Sequence, residues 1–308
     1  MATLQGRNLL SLADITSDET THLIRTAAQI KSGEINPQCP RKILGLVFKK
    51  ASTRTRVSFT AAMYRLGGQV IDLNANLTQI GRGESTADTA RVLDRYLDVL
   101  AIRTYAQSEV EEFAQYARIP ILNALTDLEH PCQILADLLT VQEEFGALQG
   151  LTMTYLGDGN NVAHSLILGC ALVGMNVRVA TPKGYEPDAD VVKKAEAIAA
   201  DTGSKIAITH DAKAAVEGAH ALYTDVWASM GQEDSAQSRI PIFEPYQIND
   251  AAMAIADPSA IVLHCLPAHR GEEITEAVME GSQSRIWDEA ENRLHAQQAL
   301  LAEVLGAV

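Results

Sequence analysis

Short apolar runs alternate with amphipathic segments along most of this chain, and no other sequence feature limits the possible folds as strongly. The run RKILGLVFKK at 41–50 is rich in branched residues and precedes a helix-periodic stretch, which ends at Gly67 and Gly68. Such runs predict buried strands, and their alternation with helices predicts parallel sheets. We therefore expect an α/β fold. The predicted strands are 41–50, 69–74, 99–105, 119–125, 151–159, 176–182, 205–210, 221–227 and 260–267.

Chain length and the recurrence of the pattern predict two domains. The 308 residues suffice for two domains of about 150 residues each. We expect two doubly wound parallel-sheet domains joined by interdomain helices. An amphipathic helix predicted at 132–146 is placed to connect them, and a last helix is predicted at 287–306. The active site is expected in the cleft between the domains.

Charge and cysteine pattern argue against several classes of protein. The net charge of −14 is unfavourable for nucleic acid or anionic membranes, because both require a broad basic face. The longest apolar run, LILGCALVGM, has about half the residues that a membrane span requires. The start of the chain lacks the pattern of a targeting peptide. Four widely spaced cysteines favour reduced thiols over a disulfide framework. These features predict a cytoplasmic protein.

Polar residues follow several of the predicted strands directly. Ligands of open parallel sheets bind at the carboxyl ends of the strands, where the chain turns into a helix. Residues at these positions in both halves are therefore expected to converge on one site. They are 52–56, Arg103, His130, 158–161, Asp225 and Cys265.

The segment KKASTRTR at 49–56 concentrates four cations and three hydroxyls in an acidic chain. Ser52 and Thr53 lie where a helix is predicted to begin, so that hydroxyls and backbone N–H groups can bind an anion there. Arg54 adds a guanidinium suited to phosphate, and Arg56 is a second candidate. The alternative is an ordinary helix cap with solvated arginines. Phosphate binding is favoured, since a cap needs one hydroxyl and no arginine.

The segment GDGNNV at 157–162 resembles part of a dinucleotide-binding turn. That turn requires a third glycine, and an acid at the end of the next strand. Val162 occupies the position of the third glycine, and the next predicted strand ends at Pro182 without an acid. We expect no nucleotide cofactor. Asn160 and Asn161 are candidate ligands for a polar substrate or, equally, helix caps.

The segment HCLPAH at 264–269 contains two histidines and Cys265. No second cluster supplies imidazole and carboxylate at the spacing of metal ligands, so we expect no metal site. Taken alone, a cysteine at a strand end is more often a packing residue than a chemical one.

Five motifs, in order, resemble the aspartate/ornithine carbamoyltransferase family. They are STRTRVSF, EHPCQILADLLT, GDGNNVAHSL, DVWASMGQE and HCLPAHRGEE, and the resemblance extends from 8–12 to 291–297. The SMG and HCLP motifs resemble the ornithine branch of the family. The aspartate branch places a lysine in the loop where this chain has Gln79.

The resemblance implies transfer of the carbamoyl group of carbamoyl phosphate to the δ-amine of L-ornithine, giving L-citrulline and phosphate, in arginine biosynthesis. It implies that 1–145 binds carbamoyl phosphate, that 146–287 binds ornithine, and that the helix at 288–308 packs back on the first domain. No cofactor is needed, because carbamoyl phosphate is already activated. The implied assembly is a homotrimer with active sites at subunit interfaces.

Site residues follow from the same resemblance, position by position. The residues implied for carbamoyl phosphate are Ser52, Thr53, Arg54, Thr55, Gln79 from a neighbouring subunit, Arg103, His130, Gln133, Cys265, Leu266 and Arg293. The residues implied for ornithine are Asn161, Asp225, Ser229 and Met230. The expected catalytic residues are Arg54, Arg103, His130, Asp225 and Cys265. A catalytically silent homologue and a carbamoyltransferase with another acceptor amine are the competing hypotheses.

Overall fold

The computed structural model describes residues 4–74, 78–79, 83–228 and 236–308. The chain divides into two compact units, Met1–Leu139 with Asn292–Val308, and Thr140–Glu291. The division falls inside the helices Pro131–Phe145 and Ile286–Val304, so each of them belongs partly to both units. Helices in this role were predicted from the sequence.

The first unit contains a parallel sheet in the order β2-β1-β3-β4. Its strands are β1 (Ile43–Phe48), β2 (Gln69–Asn74), β3 (Val99–Arg103) and β4 (Ile121–Leu125). Its helices are α1 (Ser17–Ser32), α2 (Arg54–Arg65), α3 (Thr86–Leu93), α4 (Gln107–Tyr116) and the start of α5 (Pro131–Phe145). A 3₁₀ turn occupies Leu12–Asp14.

The winding of this sheet reverses between β1 and β3. The chain moves from β1 outward to β2 and then returns to the other side of β1 as β3. Phe48 and Arg103, the last residues of β1 and β3, are register partners. Such a reversal opens a crevice at the carboxyl ends of the two strands, where ligands bind in doubly wound folds.

The second unit contains a parallel sheet in the order β7-β6-β5-β8-β9. Its strands are β5 (Thr152–Leu156), β6 (Asn176–Ala180), β7 (Ile206–Thr209), β8 (Ala221–Thr224) and β9 (Ile261–His264). Its helices are α6 (Asn161–Leu172), α7 (Ala189–Thr202), α8 (Ala212–Val216), α9 (Ala236–Phe243), α10 (Asp250–Ile255), α11 (Glu276–Met279) and the start of α12 (Ile286–Val304). A 3₁₀ turn occupies Glu244–Tyr246. The winding reverses between β5 and β8.

Burial explains the apolar character of the central strands. β3, β4, β5 and β8 are buried along their whole length, as expected for parallel strands covered on both faces. Tyr155 of β5 and Tyr223 of β8 stack at 6.1 Å between ring centroids. α6 is buried on all sides from Val162 to its end, as expected for a helix whose residues are mostly apolar all round.

The predicted strands each overlap an observed one, and the predicted α/β fold is confirmed. Ser85 caps α3, because its side chain accepts a hydrogen bond from the N–H of Asp88. All four cysteines are described, and none forms a disulfide. In the part of the chain that the structure describes, no helix is both long and apolar enough to cross a bilayer.

Candidate active site

The loop after β1 leads into α2 with its polar groups facing outward. Thr53 occupies the N-cap position, and its side chain makes no capping hydrogen bond. Ser52 is half-buried, whereas Thr53 and Arg54 are exposed. An uncapped helix start leaves backbone N–H groups available to an anion. The helix start predicted from the sequence is confirmed.

The four cations of this segment have different surroundings. Three of them form ion pairs with carboxylates from other parts of the first unit. These pairs are Lys49 with Glu109, Lys50 with Asp127, and Arg56 with Asp72. Within the described residues, Arg54 has no acidic partner, and its guanidinium is close enough to influence His130. Arg54 is therefore the cation of this segment that is best placed to meet an anionic ligand.

Two further arginines lie in the same unit, and both are nearly buried. Arg103 ends β3 and is 7% exposed, while Arg293 on α12 is 3% exposed. Arg293 Nη2 donates to Thr55 Oγ1 at 2.7 Å, which links the last helix to the first turn of α2. These two guanidinium groups, together with Arg54, place positive charge around His130.

His130 lies directly before α5, in a tightly held loop. The loop closes on itself, since Thr126 N donates to Glu129 O at 2.9 Å. Glu129 in turn accepts hydrogen bonds from Ser11 Oγ and from Leu12 N, the latter at 3.1 Å. Ser11 and Leu12 thus hold in place the residue that directly precedes His130.

The electrostatics of His130 follow from these surroundings. Burial, and then the positive charges of Arg293, Arg103 and Arg54, hold the pKa of His130 well below its ordinary value. The imidazole is therefore neutral at neutral pH and can donate one hydrogen bond without carrying charge. Burial also raises the pKa of the nearby Cys132 thiol to about 12, so this cysteine stays protonated.

Gln133 and Gln79 complete the residues placed in the first unit. Gln133 is buried on α5, and its Nε2 donates to Asp137 Oδ1 at 2.8 Å. Gln79 is exposed after β2, and its carbonyl accepts from Glu84 N at 3.2 Å.

In the second unit, the loop after β5 leads into α6 through two asparagines. Asn160 caps the helix, because its Oδ1 accepts from Val162 N at 3.0 Å and from Ala163 N at 3.2 Å. Asn161 is the first residue of α6 and is half-buried. Of the two alternatives, helix cap and substrate ligand, the first therefore applies to Asn160, and Asn161 remains a candidate ligand.

Asp225 follows β8 and is held by neighbours on both oxygens. Oδ1 accepts from Cys265 Sγ at 3.1 Å and from Val226 N at 2.8 Å. Oδ2 accepts from Asn160 Nδ2 at 2.8 Å. The carboxyl ends of β5, β8 and β9 thus meet at one carboxylate.

A second carboxylate lies beside this group. Asp158 Oδ2 accepts from Arg239 Nη1 at 2.7 Å. Burial raises the pKa of Asp158, Arg239 opposes that shift, and Asp225 adds to it. Arg239 also donates to Trp227 O at 2.6 Å. α9 is thereby attached to the loops after β5 and β8.

His264 is a buried structural residue rather than a ligand. Its Nε2 contacts Glu273 Oε1 at 3.0 Å, and its Nδ1 accepts from Leu266 N at 2.8 Å. Its backbone N–H donates to Glu289 Oε2 at 2.7 Å. Leu266 has a left-handed backbone with φ of 58°, which these contacts stabilise. The HCLP loop is thus fixed around Cys265.

Two groups of metal-ligand side chains have atoms within 4.8 Å of one another, Asp225 with His264 and Cys265, and His269 with Glu272 and Glu273. In the first group the thiol donates to the carboxylate, and both imidazole nitrogens are engaged. These hydrogen bonds engage the candidate ligand atoms of the first group with one another and with neighbouring residues.

Two predicted site residues lie outside the part of the chain that the structure describes, and some residues that support the site were not predicted. Ser229 and Met230 lie outside the described residues. Three residues that support the site were not predicted from the sequence: Arg239, Glu273 and Glu289. Glu273 had a visible signal, since it closes the HCLPAHRGEE motif, whereas Arg239 had none.

Known proteins match the whole chain. Residues 7–143 match the domain family described as aspartate/ornithine carbamoyltransferase, carbamoyl-P binding domain, and residues 149–304 match its Asp/Orn binding domain. The chain therefore belongs to the aspartate/ornithine carbamoyltransferase family.

Individual relatives of this chain belong to one branch of the family, the ornithine carbamoyltransferases. An ornithine carbamoyltransferase of Nostoc punctiforme is 67% identical over 307 residues, covering 100% of both chains. The crystal structure of ornithine carbamoyltransferase from Gloeobacter violaceus is 58% identical, covers 97% of this chain and 98% of that one, and has a TM-score of 0.90. The ornithine carbamoyltransferase structure from Pyrococcus furiosus is 48% identical, covers 100% of both chains, and has a TM-score of 0.96.

Proposed function

We propose that this protein transfers the carbamoyl group of carbamoyl phosphate to the δ-amine of L-ornithine, giving L-citrulline and phosphate. The observation that carries the proposal is the fixed Asp225–Cys265 pair at the carboxyl end of the second sheet, in a chain whose full-length relatives are ornithine carbamoyltransferases. An anionic group of this kind suits an amine acceptor. We assign the reaction to arginine biosynthesis.

Carbamoyl phosphate is a dianion and is assigned to the first unit. Arg54, Arg103 and Arg293 supply positive charge to its phosphate, together with the hydroxyls and N–H groups at the start of α2. These hydroxyls belong to Ser52, Thr53 and Thr55. Two nearly buried guanidinium groups and an uncapped helix start support this assignment.

The carbonyl of carbamoyl phosphate needs a donor that strengthens as negative charge develops on its oxygen. Neutral His130, Arg103 and Thr55 are proposed for this role, in the manner of an oxyanion hole. One such donor typically lowers the barrier by about 3 kcal/mol. Gln133 and the backbone carbonyls of Cys265 and Leu266 are proposed to accept from the carbamoyl amide.

Ornithine is assigned to the second unit. Asn161 is proposed to bind its amino-acid end, and Asp225, with Ser229 and Met230, its side chain. The δ-amine resembles lysine, so only about one molecule in a thousand is neutral near physiological pH. Asp225 and Cys265 are proposed to receive the amine and orient its lone pair toward the carbonyl carbon. Attack of the neutral amine on that carbon forms the C–N bond, the C–O bond to phosphate breaks, and the proton lost by the nitrogen leaves with the phosphate.

Direct transfer requires the two substrates to meet, so we extend the proposal to a single reaction to which residues of both units contribute. The domain assignment is part of it, with carbamoyl phosphate bound by 1–145, ornithine by 146–287, and 288–308 returning to the first domain. The end of the first family match at 143 and the start of the second at 149 support the first boundary, and the inclusion of Asn292–Val308 in the first unit supports the return of the last helix.

We also propose a homotrimer in the cytoplasm, with Gln79 reaching the active site of a neighbouring subunit. Exposed apolar residues of the first unit support an assembly. Val57 and Tyr64 are 59% and 77% exposed and share one face of α2, and Ile71 on the edge strand β2 is 43% exposed. Sedimentation velocity at several concentrations tests it, and a monomer throughout would contradict it.

An acceptor assay tests the reaction. Purified protein is incubated with carbamoyl phosphate and, in parallel, with ornithine, putrescine, acetylornithine or aspartate, and ureido product is measured by its colour reaction. We expect product with ornithine alone. Product with another amine would reassign the acceptor. No product with any amine would favour a silent homologue.

A further inference from the structure

The side chain of Asn160 performs two tasks at once in the second unit. Its Oδ1 accepts two backbone N–H groups at the start of α6, from Val162 and Ala163. Its Nδ2 donates to Asp225 Oδ2 at 2.8 Å. Asn160 therefore links the loop after β5 to the loop after β8, across the reversal of the sheet.

The chemistry of these contacts fixes the orientation of the amide. Backbone N–H groups can only donate, so the oxygen of Asn160 must face the helix and its NH₂ must face Asp225. An aspartate would cap the helix equally well. It would, however, place a second carboxylate oxygen against Asp225, and two carboxylates at that distance cannot both ionise easily.

Other helix starts in the same unit show that capping alone does not demand asparagine. Asp188 caps α7 and Asp211 caps α8, each through a carboxylate oxygen. Asn249 caps α10, and its Nδ2 donates to Gln247 rather than to an acid. Asn160 is distinguished from these three by the carboxylate that its NH₂ group faces.

Asp225 has little other freedom. It is 7% exposed, and its Oδ1 already accepts hydrogen bonds from Cys265 Sγ and from the backbone N–H of Val226. The contact from Asn160 holds the second oxygen, and contacts on both oxygens fix the plane of a carboxylate. Without Asn160, the carboxylate can rotate about its remaining contacts.

We propose that Asn160 is a positioning residue, which orients the carboxylate of Asp225 toward the acceptor amine. This inference rests on the proposed function, since it assigns Asp225 to the amine of ornithine. It predicts a much larger effect on the use of ornithine than on the binding of carbamoyl phosphate, whose phosphate is assigned to the other unit.

The test compares Asn160→Asp, Asn160→Ser and the matched control Asn249→Asp in the full chain. All three retain a capping residue. We expect kcat/KM for ornithine to fall on the order of 100-fold in Asn160→Asp, since the Asp225 carboxylate loses its donor and is also repelled by the new carboxylate at position 160. A fall of about tenfold is expected in Asn160→Ser, which loses one hydrogen bond to a charged group. Asn249→Asp keeps wild-type values.

A double variant separates positioning from folding. Asn160→Asp lowers Tm, whereas Asn160→Asp with Asp225→Asn restores a donor opposite an acceptor and raises Tm again. Turnover stays low in the double variant, because the carboxylate is now on the wrong residue. If Asn160→Asp does not fold, Asn160→Ser decides.

The outcomes for the two proposals differ. Wild-type protein that forms no citrulline would overturn the proposed function. Active wild-type protein with Asn160→Ser matching Asn249→Asp in kcat/KM would overturn the positioning role alone. A rise in the dissociation constant for carbamoyl phosphate as large as the fall in kcat/KM for ornithine would also overturn it, because a general structural defect would then explain both.

Discussion

The two units place their candidate residues at equivalent points of similar sheets, yet the charges there are opposite. In the first unit, three arginines surround a neutral histidine at the reversal between β1 and β3. In the second, Asp158 and Asp225 lie at the reversal between β5 and β8. The backbone arrangement thus determines where a ligand binds, while side chains determine its charge. A dianion and a diamine suit these two sites respectively.

The two sites also differ in how a buried polar side chain is accommodated. His130 in the first unit gives up its charge, because burial and the neighbouring guanidinium groups disfavour the protonated form. Asp225 in the second unit is surrounded by donors from Asn160, Cys265 and Val226. Burial is thus accompanied by a neutral imidazole in the first unit and by hydrogen bonds to the carboxylate in the second.

The largest expected effect comes from removing the exposed cation of the first site. Arg54→Gly should lower turnover by roughly 10³-fold, since a preorganised donor to the developing charge is lost. The fold should remain, because Arg54 is exposed. Citrulline assays and circular dichroism of the variant check both parts. Near-wild-type turnover would remove Arg54 from the site.

The matching change in the second site is Asp225→Asn. We expect kcat/KM for ornithine to fall by about 100-fold, because a charge-assisted contact to the amine is lost. Affinity for carbamoyl phosphate should stay the same, and isothermal titration with that ligand alone measures it. Weaker carbamoyl phosphate binding would show that the two sites do not divide the substrates as proposed.

The neutral state of His130 predicts a dependence of stability on pH. Below its ordinary pKa of 6.5 the unfolded chain binds a proton on His130 that the folded chain does not. Stability therefore falls as pH falls through this range, by up to about 1.4 kcal/mol for each pH unit. His130→Gln should show a shallower fall in urea unfolding from neutral pH to about pH 5. Equal slopes would contradict the assignment.

The smallest effect is expected from the paired cations near Arg54. Lys49→Gln and Arg56→Gln each remove one partly exposed ion pair, with Glu109 and Asp72. Such pairs contribute at most about 1 kcal/mol, so turnover should change less than roughly fivefold. Steady-state kinetics beside Arg54→Gly give the comparison. A loss as large as that of Arg54→Gly would mean that the whole segment binds the anion.

Much of the architecture was predictable, because parallel sheets leave regular apolar runs in the sequence. α1 was not predicted, although Thr16 and Glu19 form a visible capping box at its start. The short helices α8 to α11 were also missed, since four to eight residues hold too few turns to show a period.

Side-chain partners were the part that the sequence could not reveal. Asn160 and Asp225 lie 65 positions apart, and Arg293 and Thr55 lie 238 apart. Strand order and register determine which distant residues come into contact, and neither can be predicted from a local sequence pattern alone. The acidic partners of Lys50 and Arg56 were hidden for the same reason, so the whole segment looked available to a ligand.

The anchoring of Glu129 by Ser11 and Leu12 has a practical meaning for work with this protein. An affinity tag or proteolytic trimming close to that stretch would disturb the imidazole 119 places further on, at His130. The last helix is no safer a place for a tag, because it carries Arg293 and Val304 O accepts a hydrogen bond from Gly6 N at 2.9 Å.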